Sequence, residues 1–104
     1  MTDQDLIKTV AEILGLNHSA DGSHIHYKGF MLDPLARTVE AKAFCWEIAT
    51  KNKIRPDYFK CRDGSGSEYY AYYADFDDGA QSTQFTDAPQ RAVLLAFVEL
   101  NKEK

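Results

Sequence analysis

With 104 residues the chain has enough length for one domain and one core, since a second core would have too few residues to bury. A composition of 44% apolar and 27% charged residues excludes wholesale disorder, and no run of about 18 apolar residues is present to cross a bilayer as a helix. The formal charge of −4 disfavours general nucleic-acid binding, which draws on a clustered excess of Lys and Arg.

The opening "MTDQDLIKTV" is acidic and amphipathic, unlike the basic and apolar start of a secretory leader, so a soluble protein of the cytoplasm is expected. Thr2 or Asp3 reads as an N-cap. Leu6, Ile7, Val10, Ile13 and Leu14 then recur at helical spacing until Gly15 supplies a stop. The following "NHSADGSHIHYKGFML" alternates weakly and is broken at Asp21-Gly22 and Lys28-Gly29, which predicts a short hairpin of modest strands. Asp33-Pro34 reads as the start of a second helix, because Pro in the first turn lacks only an N–H that has no helical partner there. Its apolar stripe runs through Leu35, Val39, Ala43, Trp46 and Thr50, widened by Phe44 and Ile48, and "KNKIRP" ends it.

"DYFKCR", the turn "DGSGS" and "EYYAYYADF" read as a hairpin of β-favouring aromatics, with a further short strand expected in "AQSTQF". The last segment, "TDAPQRAVLLAFVELNKEK", starts with Asp87 as N-cap and Gln90 three residues later, the spacing of a capping box. Val93, Ala96, Phe97 and Leu100 face one way with Leu94 and Val98 beside them, so this helix is apolar over most of its surface. The short connections require antiparallel pairing. The expected class is therefore α+β: a mainly antiparallel sheet of about four to five strands packed by three helices, in the order α-β-β-α-β-β(-β)-α.

Three segments carry a resemblance: the amphipathic "DLIKTVAEILGL", the proline-introduced "LDPLARTVEAKAFCWEIATKN", and above all the closing "FTDAPQRAVLLAFVEL" with its Thr and Pro start and alanine-rich helix. With the aromatic strand between them, the chain resembles the phage ABA-sandwich domain, a family of small phage and prophage proteins. The resemblance implies a two- or three-layered α/β sandwich over residues 1–104 and a bacterial host cell. It brings no established activity and no catalytic residues.

Several constellations could carry chemistry. His24 and His26 flank Ile25, so on a strand both imidazoles share a face that His18 could join, a nitrogen-donor set suited to zinc. No fourth ligand stands at a diagnostic spacing, and no cofactor is called for. Cys45 is a candidate nucleophile only if a histidine lies close in space. Beside Trp46 in a helix, it reads more simply as a small packed side chain. Without an export signal, Cys45 and Cys61 are expected as thiols, and a single bridge between them is left open. Asp75, Asp77 and Asp78 form a carboxylate cluster, but "DFDDG" lacks the pattern of a calcium loop and reads as an acidic turn.

Charge is unevenly distributed. From Lys51 to Arg62 there are five basic residues, Lys51, Lys53, Arg55, Lys60 and Arg62, against one acid, whereas from Asp63 to Gln90 there are six acids and no Lys or Arg. The basic stretch could meet phosphates while the tyrosines stack unpaired bases, yet the acidic segment carrying those tyrosines opposes this. The reading that fits best is a non-enzymatic module binding a protein partner, such as a host-defence component, through Tyr69, Tyr73, Asp75, Asp77 and Asp78. A homodimer is open to the same surface. Alternation puts Tyr70, Tyr72, Ala74 and Phe76 on the core face of their strand, and Tyr69, Ala71, Tyr73 and Asp75 on the other.

Overall fold

The computed structural model describes residues 2–76, 86 and 88–102. Helix α1 spans Asp3–Leu14 and begins where the Thr2 hydroxyl accepts the N–H of Asp5. It ends at Gly15, whose φ of 71° closes the last turn by donating to the carbonyls of Ala11 and Glu12. Leu6, Ile7, Val10 and Ala11 are buried, whereas Ile13 and Leu14 are more exposed than expected. Strands β1, Ile25–Tyr27, and β2, Phe30–Leu32, form the first hairpin. Lys28 and Gly29, with φ of 50° and 86°, make the two-residue turn with both central φ positive that suits a hairpin's twist.

Helix α2, Val39–Asn52, departs from expectation in two respects. It starts at Thr38, whose hydroxyl accepts from the N–H of Ala41, and not at Asp33. Asp33 instead caps a single turn, its carboxylate taking the N–H of Leu35 and its carbonyl the N–H of Ala36. The buried side is Ala41, Phe44, Cys45, Ile48 and Ala49, so the stripe through Val39, Ala43, Trp46 and Thr50 faces out, with Val39 at 79% and Trp46 at 60% exposure. Apolar residues surround this helix on most sides, and periodicity alone did not decide which side lies inward.

Strand β3, Ile54–Arg62, begins three residues before "DYFKCR" and pairs with β4, Glu68–Phe76, from Ile54↔Phe76 to Arg62↔Glu68. Tyr72 exchanges both backbone bonds with Thr86 on the far side of β4, at 2.9 and 2.8 Å. The rung Tyr58↔Tyr72 is therefore one without β3–β4 hydrogen bonds, and so is Pro56↔Ala74 two residues along. Pro56 thus removes no ladder bond, which is how a proline sits inside this strand. The expected third strand, "AQSTQF", lies outside the described residues, as does the expected N-cap Asp87. Among the described residues the strands form two separate two-stranded ladders and not one sheet.

Helix α3, Pro89–Lys102, packs against α1, α2, β3 and β4. Ala92, Val93, Leu94, Ala96, Phe97 and Val98 are all buried, and each fully buried large side chain here contributes roughly 1.5–3 kcal/mol. The capping box expected of Asp87 and Gln90 rests on Asp87 and so lies outside the described residues, but the Gln90 side chain has a second role. It is buried, and its Nε2 donates to the carbonyls of Pro34 at 3.2 Å and Ala36 at 2.6 Å, while the Cys45 thiol donates to the same Pro34 oxygen at 3.3 Å. Arg91 pairs with Asp3 and ties α3 to α1. No helix among the described residues is long and apolar enough to cross a membrane.

The tie between α3 and the 33–36 turn is testable by substitution. Replacing Gln90 by Leu leaves two inward carbonyls without this donor and should cost about 2–4 kcal/mol in urea denaturation, whereas Trp46→Gln on the outer face of α2 should stay within about 0.5 kcal/mol. Equal small effects from the two substitutions would show that the Gln90 contacts hold nothing together.

Candidate interaction face on the long hairpin

The hairpin β3–β4 has two faces of different fate. On one, Ile54 and Ala74 are buried and Tyr72 and Phe76 pack against the core, as alternation predicted. Towards the tip that cover ends, and Tyr58, Lys60 and Tyr70 are exposed, so Tyr70 is only half buried despite lying on the core side. Tyr58 and Tyr70 meet edge to face, with ring centroids 5.4 Å apart.

The opposite face is built of four rungs: Arg55↔Asp75, Asp57↔Tyr73, Phe59↔Ala71 and Cys61↔Tyr69. Phe59 and Tyr69 are each 51% exposed, and the Phe59 ring stacks diagonally on Tyr73 at 5.1 Å. The Tyr73 hydroxyl donates to Asp57 at 3.2 Å. Lost hydration, then this hydrogen bond and the charges of Asp57 and Asp75, push that hydroxyl above its ordinary pKa. The structure therefore brings Tyr69, Tyr73 and Asp75 onto one face, while Asp77 and Asp78 lie outside the described residues.

Asp57 and Phe59 belong to the same face and were absent from the expected set. Their signal was present in the five-residue turn 63–67, which fixes the register and hence which residues of β3 share a face with Tyr69 and Tyr73. The turn is held by Asp63, whose Oδ1 accepts from the backbone of Ser65 and Ser67 and from the Ser65 hydroxyl. The Ser65 hydroxyl is the main cause holding the Asp63 carboxyl below the usual carboxylate range.

The basic residues do not gather on this face. Lys60 and Arg62 lie on the other side of the hairpin, both paired to Glu68 at 2.9 and 3.1 Å. Lys51 pairs with Glu47 at 3.0 Å, and Glu47 also accepts the Tyr27 hydroxyl at 2.5 Å. That hydroxyl, ahead of Lys51, holds the Glu47 carboxyl below its ordinary range. Lys53 occupies the left-handed position that ends α2, and only Arg55 shares a face with Tyr69 and Tyr73.

The histidines are likewise separate in their bonding. Nδ1 of His18 donates to the Ser19 carbonyl at 2.7 Å, His24 meets the Ser23 hydroxyl at 2.7 Å, and His26 is exposed on β1. No group of three His, Cys, Asp or Glu side chains among the described residues could hold a metal ion. Both cysteines are free thiols. Burial, reinforced by the charge of Asp33, pushes Cys45 up to about 12, a proton-bearing donor and not a nucleophile. It borders an apolar cleft of about 160 Å³ with Trp46, Gln90 and Val93.

No family model, curated protein or solved structure matches the chain.

The two thiols provide a direct check. At pH 8 the native chain should take up one equivalent of iodoacetamide, at Cys61, and a second only after denaturation, with mass spectrometry locating each adduct. Fast native labelling of Cys45 would mean that its side chain is not enclosed as described.

Proposed function

We propose that the chain is a small, non-enzymatic phage or prophage accessory protein of the host cytoplasm that acts by binding another protein through the face of its long hairpin that carries Tyr69, Tyr73 and Asp75. The observation that carries this reading is the grouping of Phe59, Tyr69 and Tyr73 with Asp57 and Asp75 on one sheet face. Tyrosine combines a large apolar body with a hydrogen-bonding tip, the property that enriches it where proteins meet. Flanking carboxylates favour a partner surface that carries basic groups, and a basic groove of a host-defence protein is one such surface. The resemblance to the phage ABA-sandwich domain supports the phage setting. Single-strand nucleic-acid binding is less well supported, because Lys60 and Arg62 are engaged by Glu68 on the side away from Phe59 and Tyr69.

Capture from lysate of a bacterial host, with immobilised wild type and a Phe59→Ser/Tyr69→Ser variant side by side, tests the reading. A bound protein retained by the wild type should fall by about tenfold or more on the variant, since buried interface aromatics commonly carry over 1 kcal/mol each. Identical profiles for the two baits would rule out this face as the binding surface.

A further inference from the structure

We infer that the outer edge of β2 takes up an extended segment of another protein as an added strand, one with apolar residues at its centre and Lys or Arg at its flanks. This surface belongs to the short hairpin and is separate from the one proposed on β3–β4.

The register of the short hairpin identifies the edge. The His26 N–H donates away from β2, to the Asn17 carbonyl at 2.8 Å, so the rung His26↔Met31 is one without β1–β2 hydrogen bonds. The N–H and C=O of Met31 therefore point away from β1. The outer edge of β1 is closed, because His18 bridges Ile25 and the Ser19 N–H donates to the His24 carbonyl at 2.9 Å. No strand among the described residues closes β2 in the same way, and neither outward group of Met31 bonds to a described residue. A strand edge in that condition is a template for another chain.

The edge borders a groove of about 580 Å³, lined by Phe30, Met31 and Leu32 of β2 and by Asp33, Thr38 and Glu40 from the connection into α2 and its first turn. A groove of this size accepts one extended chain of a few residues. A second folded copy would have to bring its own connection and α2 into the same space.

The side chains select the occupant. In an added strand the residue opposite Met31 shares its face, while the residues on either side share the face of Phe30 and Leu32. Phe30 and Met31 are 47% and 46% exposed, so three consecutive apolar residues would cover them. The charged side chains lining the groove are both carboxylates, Asp33 and Glu40, and neither joins an ion pair among the described residues. Arg37, from the same connection, does not line it. Basic residues flanking the apolar three complement those carboxylates.

The test uses a capped heptapeptide with three central valines flanked by lysines, added to the ¹⁵N-labelled full chain to about 5 mM, several times the dissociation constant of about 0.1–1 mM that so short an edge should give. The amide signals of Phe30, Met31, Leu32 and Glu40 should shift saturably. Replacing the lysines by glutamates should weaken binding by about tenfold or more, and N-methylation of the three valines, which removes the N–H groups that meet the Met31 carbonyl, should abolish it. Met31→Pro takes away only the outward N–H, leaves the β1–β2 bonds in place, and should weaken binding by about tenfold or more. Glu40→Lys should weaken the lysine peptide by about threefold or more, and it stands as the second variant if Met31→Pro does not fold. The absence of saturable shifts at 5 mM overturns the inference, as do shifts confined to β3 and β4 or equal binding of the lysine, glutamate and N-methylated peptides. None of these failures touches the β3–β4 reading, which lysate capture with the Phe59→Ser/Tyr69→Ser variant tests separately.

Discussion

Helix α3 is apolar over most of its circumference, and an element of that kind is stable in water only when neighbours cover it from several directions. Helices α1 and α2 and the long hairpin supply that cover. Gln90, the only polar side chain buried among the described residues, is satisfied by reaching the carbonyls of Pro34 and Ala36 in the connection that leads into α2. The start of α3, the 33–36 turn and Cys45 of α2 are thus joined at one buried point.

Covering α3 consumes only part of the hairpin. Nine-residue strands outrun the helix they rest on, so the buried rungs stop near Tyr72 and the aromatic pattern continues towards the tip without a helix beneath it. The face turned away from α3 carries Phe59 and Tyr69, each 51% exposed. Exposed rings beside carboxylates on one sheet face are the physical basis of the proposed function.

Charge follows a different logic in space than along the chain. The basic run before residue 63 and the acidic run after it become opposite strands of one hairpin, where Lys60 and Arg62 meet Glu68 across the ladder. An asymmetry prominent in the linear sequence is therefore partly cancelled by pairing. What is left on the aromatic face is Arg55 with Asp57 and Asp75, a mixed pattern and not a field of one sign.

Local chemistry was legible in the sequence wherever a short-range constraint operates. The Thr2 cap, the Gly15 stop, the Lys28-Gly29 turn and the division of "EYYAYYADF" into two faces all follow from neighbours a few residues apart. Three matters were decided only by tertiary structure. Which side of α2 lies inward depended on contact with α3, because Val39 and Trp46 are as apolar as Phe44 and Ile48 and periodicity does not rank them. The cross-link made by Gln90 depended on carbonyls more than fifty residues away, which no local spacing announces. Membership of the aromatic face needed the β3–β4 register to bring Phe59 beside Tyr73. Which tyrosines remain exposed needed the length of α3, since a strand's alternation states which way a ring points but not whether anything lies there to cover it.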